Sequence, residues 1–245
     1  REDSFKEIYE FTSHGHDVLN RIENCDKTTI ALTTGLALGG GLELALSCDY
    51  RIGTRRTQFR FPETSIGIYP GLGGTQRTAR ICGVECARYA VLAGNFIDSS
   101  VAIDLGLLTH KVKSSEVEST VASLVGKKPD QKYTKKPLNY ESEVVSFASD
   151  FYSDKNIDDL ISGKIPPGYD SEDPVVSRQL KSLSRAAPIA LRIAGDLLSD
   201  VRTGSSLEDG LNLELDRLEE IFSTRDAEEG LSALIEGRRP KYNSC

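Results

Sequence analysis

Residues 28–77 read TTIALTTGLALGGGLELALSCDYRIGTRRTQFRFPETSIGIYPGLGGTQR, and the reading of this stretch decides the fold. Thr28 to Thr34 is β-branched and apolar, of strand length, and ends at Gly35. After Gly39, Gly40 and Gly41, the residues Leu42, Ala45 and Leu46 recur at helical spacing, which predicts a short buried helix over Gly40 to Cys48. Tyr50 to Gly53 and Gln58 to Phe61 read as short strands, and Pro62 sets up a turn carrying Glu63. Gly67, Pro70, Gly71, Gly73 and Gly74 follow and predict a loop whose backbone approaches something closely.

Strand, glycine turn and helix in succession leave free N–H groups at the first helical turn. Those donors and the helix dipole favour a negatively charged oxygen, and glycine lets it come near. Glu43 falls in that first turn among Leu42, Leu44, Ala45 and Leu46. A carboxylate buried there without a cationic partner is costly, which argues for a function rather than a solvated charge. Glu63, taken alone in a turn, reads as structural. Asp49, Gln76 and Arg77 read as loop-fixing residues.

The motif ALGGGLELALSCD, followed by F-x-F-P-E-T-x-I-G-I-Y-P-G-L-G-G-T-Q-R, resembles the signature of the crotonase superfamily and, within it, the enoyl-CoA hydratases. The run from Ile221 to Tyr242 resembles that family's last helices. The resemblance covers roughly residues 1–113 and 184–242. It implies an α/β fold, a crotonase-like spiral of ββα units with a C-terminal helical oligomerisation region. It divides the chain into a crotonase core (1–113), a helical and insertion segment (114–183) and a trimerisation region (184–245). It also implies that the strand and loop supplying the first half of the oxyanion hole lie upstream of Arg1 and are missing here.

By that resemblance Gly40 N–H is an oxyanion donor, Glu43 activates a water, and Glu63 exchanges a proton with C2 of a 2-enoyl thioester. The match reverses the structural reading of Glu63. Gly39, Gly71 and Tyr242 become substrate contacts, and Arg238 and Arg239 lie where a coenzyme A nucleotide could reach. No cofactor is implied, because the coenzyme A thioester is itself the substrate. A homotrimer or homohexamer is implied, with a fused or associated 3-hydroxyacyl-CoA dehydrogenase as a further partner. The alternatives are an isomerase, an acyl-CoA or ring hydrolase, and a non-catalytic acyl-CoA-binding or scaffold protein, including RNA-binding relatives. Both glutamates and Gly71 favour the hydratase.

Composition sets outer limits. The 245 residues, 38% hydrophobic and 27% charged, can bury a sizeable core. A net charge of −7 argues against nucleic acid or an anionic membrane as partner. No apolar run reaches bilayer length and no secretory h-region is present. Five cysteines at irregular spacing suggest a reducing, cytoplasmic setting. Cys82 and Cys86 lack a second ligand pair, so no metal site is expected. Gly71-Leu72-Gly73-Gly74 lacks dinucleotide-fingerprint spacing.

Elsewhere, Ser4 with Glu7 fits a capping box, and Phe5, Ile8, Tyr9, Val18, Leu19 and Ile22 give helical spacing around an interruption at His14-Gly15-His16. The three histidines are expected at the surface. One helix is predicted over Thr78–Ala93, another through Leu105 capped by Asp98 or Ser99, then a strand over Leu107–Val112 and a helix through Val117–Val125. Residues 126–173 break the pattern and read as an insertion: a lid, an oligomer contact, a partner dock or a plain surface excursion. Helical spacing resumes over Val175–Val201, broken at Pro188. Ser205 with Glu208 fits a capping box ahead of the Leu207–Phe222 stripe. Ser223 or Thr224 caps the last helix, with Leu231, Leu234 and Ile235 expected inward.

Overall fold

A computed structural model describes residues 2–242, with side chains from Phe5 onward. The chain begins with helix α1 (Glu2–Glu23). It continues through β1 (Ile30–Thr33), β2 (Leu36–Leu38), α2 (Gly40–Ser47), β3 (Tyr50–Gly53) and β4 (Gln58–Arg60). The strand expected over Thr28–Thr34 is β1, while β2, beyond Gly35, is a further strand in the other sheet that was not predicted. β1 pairs parallel with β3, Ile30 opposite Tyr50, while β2 pairs parallel with β4, Leu36 opposite Gln58. Because α2 links one strand pair to the next, each ββα unit lies on its successor, and the chain climbs as a spiral.

A 3-10 turn, Glu63–Ile66, carries the second acid. Next come α3 (Gly74–Cys82) and α4 (Val84–Val91). One helix was expected here, but Gly83 has φ 84°, which ends α3 and starts α4. β5 (Ile97–Asp98) runs antiparallel to β4 and leads into α5 (Ser99–Leu105), capped by the Asp98 carboxylate as expected. β6 pairs with β3 over His110–Lys111, shorter than the predicted strand. The Leu107 carbonyl instead accepts from Arg51 Nε, and Leu108 N–H bonds back to Ala102 O, so the ladder begins only beyond them.

The remainder is helical: α6 (Val117–Leu124), α7 (Glu143–Phe151), α8 (Asp154–Ile161), α9 (Pro174–Leu183), α10 (Pro188–Asp200), α11 (Leu207–Asp216), α12 (Leu218–Phe222) and α13 (Arg225–Glu236). Within residues 126–173, α7 and α8 are not a surface excursion, although the stretches on either side of them are largely exposed. Val145, Ala148, Phe151 and Tyr152 are fully buried in the same cluster as Phe59, Phe61 and Leu92, and α7 packs against α4. Truncating a phenylalanine in such a cluster typically costs about 3–5 kcal/mol.

Three local expectations shift. The box ahead of α11 is Ser206 with Asp209, not Ser205 with Glu208, because the Ser205 hydroxyl is taken by Asp200 Oδ2 at 2.6 Å. Leu234 and Ile235 point outward, since α13 turns Asp226, Ala227, Gly230 and Ala233 inward. Helix α1 is continuous through Gly15, already helical from Glu2, so Ser4 lies inside it rather than at its cap; the Ser4 side chain is outside the described ones. Tyr9 and Val18 face out, and the buried stripe is Thr12, His16 and Leu19. Among the described residues no helix is long and apolar enough to cross a membrane.

Candidate active site

Glu43 lies in the first turn of α2, almost wholly buried. Its Oε1 accepts the backbone N–H groups of Leu72 and Gly74, both at 2.8 Å. No protein donor among the described residues meets its Oε2. Burial raises the Glu43 carboxyl well above the ordinary range; the nearby Glu63 and Glu214 add to the rise, and the two N–H bonds oppose it.

Glu63 opens the 3-10 turn and is also buried, with Oε2 unpartnered. Desolvation pushes its carboxyl up to about 7, against weaker opposing effects of its own backbone and of Arg60. Both acids line one cavity of about 410 Å³, together with Gly40, Gly71, Leu72, Ile68 and Tyr69. Ile8 and Phe11 of α1, with Leu218, Ile221 and Phe222 of α12, supply its apolar wall.

The glycine turn meets these acids at close range. Gly39 adopts φ 48°, ψ −123°, open to glycine and strained for other residues. Its N–H donates to Arg60 O and its carbonyl receives Leu42 and Glu43 N–H. Gly40 N–H joins none of these bonds and stands at the helix start beside the cavity, where an oxygen anion would be favoured.

Of the residues singled out from sequence, Gly39, Gly40, Glu43, Glu63 and Gly71 are brought together. Tyr242 is not, because its hydroxyl donates to Ser65 O at 2.8 Å and it lies off the cavity wall. Arg238 is engaged by the Glu229 and Glu236 carboxylates. Arg77, Asp49 and Gln76 do fix structure. Arg77 Nε donates to Glu23 Oε2 at 2.8 Å, Asp49 takes Thr29 N–H, and Gln76 reaches Leu197 O.

One expectation is overturned here and one residue went unread. His16, expected at the surface like His14, is buried, with Nε2 2.7 Å from Gly71 O and 3.1 Å from Glu214 Oε2. Glu214 is fully buried and takes Gly73 N–H at 2.7 Å and the Thr75 hydroxyl at 2.5 Å. A signal for Glu214 existed: it sits at helical spacing between Leu211 and Leu218, on a buried stripe where a bare charge is out of place. No cluster able to hold a metal occurs among the described residues, and Cys25, Cys48, Cys82 and Cys86 are free thiols.

Two acids over an apolar cavity, set on stacked ββα units, define a crotonase-type α/β protein. The structure superposes on an enoyl-CoA hydratase from Rhodobacter sphaeroides 2.4.1 with TM-score 0.77 at 22% identity, covering 98% of this chain and 70% of that one. The enoyl-CoA hydratase/isomerase family model matches residues 1–244, and the chain belongs to that family. It is 30% identical over 236 residues to the mitochondrial methylglutaconyl-CoA hydratase of Mus musculus, covering 96% of this chain and 59% of that one. It is 39% identical over 113 residues to the short-chain-enoyl-CoA hydratase of Clostridium acetobutylicum, covering 46% of this chain and 43% of that one. The chain spans about half the length of the curated relatives it matches.

Proposed function

We propose that the chain carries the hydration site of an enoyl-CoA hydratase, adding water across the C2=C3 bond of a 2-enoyl-CoA. The observation that carries this reading is the convergence of Glu43, Glu63 and the free Gly40 N–H on one apolar-walled cavity. In this reading the thioester oxygen lies at Gly40 N–H, where the charge that develops on it is stabilised. Glu43, held through Oε1, turns Oε2 to a water and accepts its proton as the oxygen attacks C3. Glu63 delivers a proton to C2. Burial raises both carboxyls, so the pair retains proton near neutral pH. The step uses the form with one proton, held by Glu63, and the charge on Glu43, whose Oε1 accepts the Leu72 and Gly74 N–H groups that favour the carboxylate. The reaction balances with water alone, OH going to C3 and H to C2.

The relatives named as hydratases support the same chemistry. The outward Leu234 and Ile235 on α13 support self-association through the C-terminal helices.

The test is loss of enoyl-thioester absorbance when the protein meets crotonyl-CoA, beside Glu43→Gln and Glu63→Gln. Each single change should lower kcat by about 10²–10⁴-fold. Release of free coenzyme A, or a shifted double bond in place of hydration, would move the site to hydrolase or isomerase chemistry.

A further inference from the structure

The loop from Gly71 to Thr75 divides its bonds between two buried carboxylates. Leu72 N–H and Gly74 N–H go to Glu43 Oε1, from α2. Gly73 N–H, between them, goes to Glu214 Oε2, and the Thr75 hydroxyl goes to Glu214 Oε1, from α11. The loop backbone is therefore threaded between the two acids. On the carbonyl side, Gly71 O faces His16 Nε2, Leu72 O takes Arg77 Nη1 at 3.2 Å, and Gly73 O takes Arg77 N–H at 2.8 Å.

His16 ties the two ends of this arrangement together. Its Nε2 faces two acceptors, Gly71 O and Glu214 Oε2, so that nitrogen carries the proton and the hydrogen bond is shared between them. Its Nδ1 is buried without a partner. An unpartnered ring nitrogen has a cost, and the ring stays in place because α1 and α11 are joined through it. The Tyr69 hydroxyl donates to the Glu214 backbone carbonyl, fixing the same turn of α11 to the chain just ahead of the loop.

We propose that Glu214, with His16, is the positioning residue of the site: it holds the glycine loop so that Leu72 and Gly74 N–H stay aimed at Glu43. Glu214 does not line the cavity; it reaches Glu43 through the loop and, in addition, through its charge, which helps raise the Glu43 carboxyl. A loop so rich in glycine has little stiffness of its own, so the aim of its donors must come from outside. One carboxylate of the pair faces the cavity, and the other supplies the rigidity. The catalytic half of this proposal rests on the hydration reading above; the structural half does not.

Glu214→Gln on the full chain tests both. Backbone amide exchange should quicken at least tenfold at Leu72 and Gly74, with global stability judged separately by urea. Crotonyl-CoA hydration should lose about tenfold or more in kcat with KM changed less than about threefold, since the substrate cavity keeps its lining. Unchanged exchange at Leu72 and Gly74 would overturn the proposal. Quickened exchange in Glu214→Gln, beside a wild-type protein that hydrates nothing, would leave the clamp standing and sink the hydration reading instead. If Glu214→Gln does not fold, Thr75→Val removes one bond to Glu214 at constant shape. It should quicken Gly73 exchange, and Thr75→Ser should restore it. Identical exchange in the valine and serine variants would also overturn the proposal.

Discussion

Glu63 Oε1 stands 2.5 Å from the point a Cβ on Gly39 would occupy. The turn that opens α2 and the acid on the 3-10 turn therefore touch directly. Their relative position is set by contact, not by an intervening hinge, and the contact exists only because residue 39 has no side chain. The backbone of Gly39, at φ 48°, makes the same demand independently.

Gly39→Ala should accordingly fail twice. Strain at that φ costs about 1–3 kcal/mol, visible as a lower urea midpoint. The added methyl also pushes Glu63 from its place, and a displacement near 1 Å should cost about a hundredfold in kcat on crotonyl-CoA. A variant with lowered stability but wild-type kcat would show that Glu63 need not sit where it does.

The Glu63 carboxyl fixes the sign of a pH effect on stability. Its folded value of about 7 lies above the 4.5 of an ordinary glutamate. Below about 4.5 folded and unfolded chains both keep the proton; between the two values only the folded chain does. The stability this group contributes is thus present at low pH and lost as pH rises through about 7. The loss is on the order of 3 kcal/mol at most, and Glu43 acts in the same direction. Urea melts at pH 5 and pH 8 should show Glu63→Gln gaining stability relative to wild type at pH 8 and not at pH 5. Parallel pH profiles for the two proteins would contradict the assignment.

The spiral was legible only through the family resemblance, while the elements that build it were legible because their signals are local. A β-branched run, a glycine turn and a leucine-spaced helix each need only their own neighbours. Glu43 was legible for the same reason: a carboxylate among leucines contradicts its surroundings. Glu214 posed the same contradiction between Leu211 and Leu218, yet its partners Gly73 and Thr75 lie far away in the chain, and no local pattern points to them. His16 was hidden by a wrong choice of face. Gly15 resembled a helix break, but it is the place where α1 admits Leu72, whose Cδ2 lies 2.5 Å from a would-be Gly15 Cβ. Leu234 and Ile235 misled in reverse, because α13 presses its small residues inward and leaves its largest outside.

That pressing has a consequence for the second acid. A Cβ on Gly230 would stand 2.2 Å from Ile66 O, on the turn that carries Glu63. Gly230→Ala should therefore cost about 1–3 kcal/mol by overpacking. It should also lower kcat for hydration, although residue 230 lines no part of the cavity. Stability loss with unaltered kcat would mean that α13 supports the fold without governing Glu63.

Arg77 allows the loop's other anchor to be measured. Its side chain is fully buried, forked between Glu23 Oε2 at 2.8 Å and Asn20 Oδ1 at 2.7 Å, with Nη1 on Leu72 O. Arg77→Met strands one oxygen of Glu23, which keeps Lys132 and the Tyr133 hydroxyl on the other. Removing one partner of a buried pair typically costs about 3–5 kcal/mol. Glu23→Gln alone should cost less, since an amide oxygen still accepts from Arg77. Combining the two should be less damaging than their sum by about 1–3 kcal/mol, the coupling expected of groups in contact. Simple additivity in urea melts would mean that Arg77 is held by Asn20 and the Leu72 carbonyl, and that the charge on Glu23 contributes little to anchoring the loop.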